Sequence, residues 1–196
     1  MAVKLEKNVL YYVTGRASKA TLFAHFLPKN ARFRIEQVDV DLFEEQTDDQ
    51  EKIAIAKAKQ AWSLVQKPLL VDDGAIYFLK YKKFPGTFTK FVYKGLGYEG
   101  ICKLLDEGDE LSVVVTTVLI YGPELYKVFR VCKTGTFKKV DHPDINFLFD
   151  STFVPHGLDK TYIELKEYPE LYEEHYFPSA AAKEVSKFIS ENDIFK

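Results

Sequence analysis

The run Ser112–Tyr121 (SVVVTTVLIY) carries no polar face at either helical or strand period. Its β-branched residues favour a strand. A strand apolar on both sides must lie inside a sheet with cover on both faces. Gly122-Pro123 then reads as a turn, and Tyr126–Cys132 returns as a hairpin partner.

The remainder of the chain supplies the other strands and the cover. Val9–Val13 reads as a buried strand that stops at Thr14-Gly15. Lys19–Leu27 places Leu22, Phe23, Phe26 and Leu27 at helical spacing before Pro28. Phe33–Val40 alternates as a strand with a phase shift near Gln37. Thr47–Val65 is rich in Ala, Lys and Gln, with Thr47 or Asp48 as its cap and Pro68 beyond its end, and reads as a helix. Leu69–Val71 starts a strand that the sequence predicts to break at Asp72-Asp73-Gly74 and resume at Ala75–Leu79. Phe84-Pro85-Gly86 is a turn, and Phe88–Tyr93 and Tyr98–Leu105 read as short helices divided by Gly95 and Gly97. Lys133–Pro155 reads as irregular with short strands, and Ser179–Ile189 as a C-terminal helix. Strands that come singly and in pairs, separated by helices, predict an α/β fold with a mixed sheet rather than a regular doubly wound array. With no linker or repeat, residues 1–196 read as one domain.

The 27 basic and 29 acidic side chains nearly cancel, which removes the electrostatic case for binding a nucleic-acid polymer but leaves room for a local basic pocket. Cys102 and Cys132 form neither a CxxC nor a zinc-like cluster, so buried free thiols in a reducing compartment are expected. The N-terminal segment lacks a signal-peptide pattern and no run of 18 apolar residues occurs, so the expected setting is cytoplasmic, away from membranes.

Five segments carry chemistry. In Val71-Asp72-Asp73-Gly74 two adjacent carboxylates interrupt an apolar strand, a costly placement unless a cation, a reacting proton or solvent at a sheet edge compensates it. Successive strand residues face opposite sides, so the two acids should differ in role. Val13-Thr14-Gly15-Arg16-Ala17-Ser18-Lys19 joins a strand to a helix start through a glycine, offering backbone N–H groups, a hydroxyl and two cations to a phosphate without the spacing of a Walker loop. Glu44-Glu45 precedes the long helix that carries Lys57, and Lys90 lies in FPGTFTKF; each is ordinary alone. Phe147 to Asp150, followed by Phe153 to Tyr162, sets spaced aromatics beside an acid, as a base-stacking site or a core hairpin would.

Taken in order, these segments resemble the inosine triphosphate pyrophosphatase family over roughly Val9 to Phe188. TGRASK resembles that family's TGNxxK, LVDDGAIYF its VEDTGLxF, FPGTFTKFVYKGLG its LPGxYxKxFLxxLG, and FDSTFVPHGLDKTYIEL its YDPxFxPxGxxKTxAEL. The resemblance implies an elongated mixed sheet with flanking helices forming two lobes around a central cleft, a homodimer, and Mg²⁺-dependent hydrolysis of non-standard purine nucleoside triphosphates to monophosphate and pyrophosphate. It implies phosphate contacts for Thr14, Arg16, Lys19, Lys57 and Lys90, metal contacts for Glu44, Asp72 and Asp73, and a catalytic role for Asp73. Phe149, Asp150, His175 and Tyr176 would meet the base.

The departures concentrate at the base end. Arg16 replaces an Asn, Asp72 a Glu, Leu148 a Gly and Ser151 a Pro. Glu170 falls where a Lys is expected, and Glu174 and Tyr176 flank His175 where Ser and Arg belong. Two readings follow: an active pyrophosphatase with shifted or relaxed base preference, or a catalytically silent relative that binds nucleotide or another protein.

Overall fold

The computed structural model describes residues 8–144 and 148–195; Phe147, one of the aromatics singled out above, lies outside them. Seven strands form one mixed sheet: β1 (Asn8–Val13), β2 (Phe33–Val38), β3 (Leu69–Phe78), β4 (Pro85–Gly86), β5 (Glu110–Ile120), β6 (Tyr126–Phe137) and β7 (Phe153–Pro155). The order is β2-β1-β3-β5-β6-β7, with β4 paired to β3. β1 runs parallel to β2 and β3, and the remaining pairs are antiparallel.

β5 lies between β3 and β6, and every residue from Leu111 to Ile120 is buried, as a strand without a polar face requires. Its partner β6 is longer than the expected hairpin strand and carries on to Phe137. The expected break in β3 does not occur. The strand is continuous through Asp72, Asp73 and Gly74, which pair with Thr117, Thr116 and Val115 of β5. The ladder to a fully buried neighbour outweighs the poor strand preference of two acids and a glycine.

Alternation along β3 sends its residues into two different layers. Leu70, Ile76 and Phe78 join Tyr12, Phe23 of α1 (Ala17–His25) and Val185 of α7 (Phe177–Glu191) in the larger core. Leu69 and Val71 join Ala54, Ala58 and Ala61 of α2 (Gln50–Val65) in a second core on the other face. α2 begins at Gln50, later than expected, because Asp49 is its cap: the carboxylate accepts from the Lys52 N–H at 3.0 Å.

The two short helices expected around Gly95 and Gly97 form within Thr89–Leu104 (α3), divided at a non-helical Gly97 whose φ of 61° is open to glycine. Cys102 and Cys132 are both free; Cys132 is exposed on β6, contrary to the expectation of a buried thiol. Three short helices, α4 (Leu148–Thr152), α5 (Tyr162–Leu165) and α6 (Pro169–His175), fill the segment before α7. Among the described residues no helix is long and apolar enough to cross a membrane.

Candidate active site

The acids of β3 point apart, as strand geometry requires. Asp72 faces α1, where its Oδ2 is 2.6 Å from Lys19 Nζ. Asp73 faces α2, where its Oδ1 is 3.8 Å from Lys57 Nζ. Lys57 Nζ also donates to Glu44 Oε1 at 2.8 Å and to the Asp72 carbonyl at 3.2 Å, which ties the two faces together. Burial pushes the Glu44 carboxyl up, but the Lys57 hydrogen bond and the charges of Lys57, Lys90 and Lys19 outweigh it and hold the group below its usual range. Three lysines from three separate elements therefore act on one cluster of acids.

The two aspartates titrate in opposite directions. Burial raises Asp72, but Lys19, Lys57 and a hydrogen bond from Tyr12 hold it below the ordinary value. Burial also raises Asp73; Lys57 offsets only part of this, and the neighbouring Asp72 and Glu44 charges add to it, so its pKa is pushed up to about 6. A carboxylate near neutrality beside a low-pKa carboxylate is an arrangement suited to proton transfer. Tyr12 is a site residue that sequence reasoning missed: in an apolar strand it reads as core, and its ring does pack edge-on against Phe23.

The loop after β1 is ordered by its own side chains. Thr14 Oγ1 accepts from the Arg16 N–H at 3.2 Å, and the Thr14 carbonyl accepts from Gln37 Nε2 at 2.8 Å. Arg16 is the N-cap residue of α1 and its side chain caps nothing, so the amides of the first turn lack a side-chain partner. Of this segment, Lys19 joins the acid–lysine cluster through Asp72, while the Arg16 charge acts on Asp150. Lys90 is exposed in the first turn of α3.

The chemistry of the donor set fits a hard divalent cation. Asp72 and Glu44 hold their oxygens against lysines rather than against N–H donors of the fold. Among the described residues no group of three His, Cys, Asp or Glu side chains forms a cation cage. Oxygen donors of this kind would suit a hard divalent cation that takes one or two carboxylates and completes its shell with water and phosphates.

At the expected base end, the aromatic residues are packed on one another. Phe149 is half-buried, 4.8 Å from the Phe153 ring. Tyr176 is 4% exposed, stacked on Tyr172 at 4.5 Å and edge-on to Tyr162 at 4.9 Å. Its hydroxyl donates to Asp150 Oδ2 at 2.9 Å. Asp150 and Tyr176, both expected to meet a ligand, instead satisfy each other inside the core. His175 ends α6, half-buried, and its carbonyl accepts from the Tyr162 hydroxyl at 3.2 Å. Glu170 and Glu174 are exposed on the same helix.

Burial raises the Asp150 carboxyl to about 6, against smaller lowering effects of the Tyr176 hydrogen bond and the Lys166 and Arg16 charges. A raised carboxyl contributes stability below its unfolded value of 3.8 and loses it as pH rises through about 6. Asp150→Asn is therefore expected to raise the unfolding free energy by about 1–3 kcal/mol at pH 8 and to change little at pH 4. Urea unfolding at both pH values reads the difference; a variant less stable than the parent at pH 8 contradicts the assignment.

Comparison with known proteins agrees with this geometry. The profile of the Ham1 family matches residues 10–171. The chain is 30% identical over 184 residues to the inosine triphosphate pyrophosphatase of Yarrowia lipolytica, covering 92% of this chain and 95% of that protein. It is also 30% identical over 140 residues to the dITP/XTP pyrophosphatase of Saccharolobus solfataricus, covering 71% and 73%. Its fold is similar to that of a HAM1 protein from Coxiella burnetii, with a TM-score of 0.76 at 19% identity over 94% of this chain and 100% of that one.

Proposed function

The chain belongs to the Ham1 family, and from that premise we propose that it hydrolyses non-standard purine nucleoside triphosphates to the monophosphate and pyrophosphate. The observation that carries the reading is the convergence of Lys19, Lys57 and Lys90 on Glu44, Asp72 and Asp73. Without substrate the lysines neutralise the acids. A triphosphate would take over the lysines, and the freed Asp72, Asp73 and Glu44 would serve Mg²⁺, one or two of them directly and the rest through its waters. Such an ion, when bound, supplies charge neutralisation to the phosphates. Asp73 takes the proton of a water that attacks the α-phosphorus, and pyrophosphate leaves; a base with a pKa near 6 suits this step. Lys19, Lys57, Lys90, Arg16 and Thr14 orient the phosphates, which is most of what phosphoryl-type displacement asks of a protein.

The test is pyrophosphate release across a panel of nucleoside triphosphates with Mg²⁺. Release from inosine or xanthosine triphosphate is expected. Nucleotide binding without turnover on any member of the panel sinks the reading in favour of a silent relative. The same reading carries a cytoplasmic setting, one domain of two lobes and a homodimer, for which the exposed Phe84, Phe88 and Phe91 offer apolar surface.

Base preference is part of the proposal. An arginine fork to the 6-oxo group of a purine discriminates by about 1–3 kcal/mol. At that place in the sequence Tyr176 has one neutral hydroxyl, and it is spent on Asp150 rather than offered to a base. Phe149 and His175 remain as half-buried candidates for base contact. The ratio of kcat/KM for inosine over adenosine triphosphate is therefore expected to lie within about tenfold, the lower end of that range. A ratio above about a thousand would show that another residue reads the base.

A further inference from the structure

Gln50, the first residue of α2, is an unusual place for a buried amide: a polar side chain at a helix start is ordinarily solvated, and this one is 5% exposed. Its Nε2 donates to the Asp73 carbonyl at 2.8 Å and to the Val114 carbonyl at 3.0 Å. Those two acceptors fix the amide's orientation, because a flip would set oxygen against two carbonyl oxygens. Gln50 Oε1 is then buried without a donor from the protein, and so is Asp73 Oδ2. A buried acceptor left unmet is destabilising, and here two such acceptors belong to Gln50 and Asp73, which one hydrogen bond joins.

Both oxygens need a donor and neither offers a proton as an amide and a carboxylate. A water molecule has two O–H bonds, and buried waters typically bridge otherwise unmet polar groups. We propose that Gln50 is a positioning residue for Asp73: it grips the Asp73 main chain through Nε2 and, through one buried water that donates to Gln50 Oε1 and Asp73 Oδ2, fixes the inner oxygen so that Oδ1 faces the lysine side of the site. The division of labour between the two carboxylate oxygens matches their surroundings. Oδ2 is enclosed, whereas Oδ1 is the oxygen 3.8 Å from Lys57 Nζ. The water is thus a fixed part of the protein and distinct from the water that attacks phosphorus. The inference rests on the pyrophosphatase reading in so far as Asp73 is the base of that reaction.

Gln50→Met keeps the length of the side chain and removes both polar atoms. It is expected to lower kcat by about 10- to 100-fold, as loss of an orienting partner typically does, with the nucleotide KM within about twofold because no phosphate contact is lost. In an Asp73→Asn background the same change should have no further effect on kcat, since Gln50 acts only through Asp73; a merely structural role would give additive losses. A high-resolution crystal structure of the wild-type protein should show an ordered water within hydrogen-bond distance of both oxygens. Unchanged kcat in Gln50→Met, additive losses in the double variant, or the absence of that water each overturn the proposal. If Gln50→Met does not fold, the crystal structure alone decides. Failure of the wild-type protein to release pyrophosphate would overturn the pyrophosphatase reading and leave the bridging water to stand or fall on the crystal structure.

Discussion

Asp73→Asn is expected to lower kcat by about 100- to 10,000-fold, the range for loss of a general base, while nucleotide affinity stays within a few-fold. The substitution keeps the size of the side chain and its place opposite Thr116 on β5, and removes the negative charge and the ability to take a proton while leaving one oxygen as an acceptor. The split between kcat and affinity follows from geometry: Asp73 Oδ1 lies at 3.8 Å from Lys57, whereas Lys19 and Lys57, the proposed phosphate partners, have their hydrogen bonds elsewhere, on Asp72 and Glu44. The pH profile gives a second view. Asp73 must be deprotonated to act, and its pKa without a bound cation is pushed up to about 6. A neighbouring Mg²⁺ can only lower that value, so the acid limb of kcat/KM should lie at or below about pH 6 and disappear in the Asn variant. Near-normal turnover in Asp73→Asn would remove Asp73 from the mechanism.

The second large effect is on binding. Lys57→Ala and Lys19→Ala should each weaken triphosphate binding far more than monophosphate binding, by about 10- to 100-fold, as expected for a charged hydrogen bond to phosphate. For Lys57 the effect has two sources. Its side chain is only 13% exposed and stands between Glu44 and Asp73, so its loss removes a phosphate partner and also leaves two carboxylates facing the incoming anion. Lys19 is 38% exposed and pairs directly only with Asp72, with smaller charge effects on Glu44 and Asp73, so its removal should be the milder of the two. Isothermal titration with both ligands measures the ratio. Equal weakening for tri- and monophosphate would place these lysines in a structural role or at the base.

How far the sequence foretells this molecule depends on whether the signal is local. Ser112–Tyr121 has no polar face, and burial on both sides follows from that alone. The opposed facing of Asp72 and Asp73 follows from strand alternation and is what the structure shows, in the ion pairs to α1 and α2. The continuity of β3 through those acids was not legible, because intrinsic preference argues for a break and only pairing with β5 overrides it. The start of α2 was misplaced because Thr47, Asp48 and Asp49 are all good caps, and only the Asp49 carboxylate meets the Lys52 amide.

Side-chain partnerships across distant segments were the least visible. The lysines and acids of the site stand out by type and by order along the chain, and the structure gathers them around Glu44. The Asp150–Tyr176 bond joins residues in α4 and at the junction of α6 and α7, and nothing in either segment predicts that a hydroxyl placed for a ligand turns inward. Tyr12 and Gln50 look like a core aromatic and a surface amide. Their roles appear only when Asp72 and Asp73 are placed beside them.

The central claim is that water, deprotonated at Asp73, attacks the α-phosphorus while the lysines retain the outer phosphates. Hydrolysis of inosine triphosphate in ¹⁸O-labelled water with Mg²⁺, followed by mass analysis of both products, tests it most directly. Attack at the α-phosphorus places the label in inosine monophosphate and leaves pyrophosphate unlabelled. Label in pyrophosphate, or in orthophosphate released alongside the diphosphate, would contradict the account.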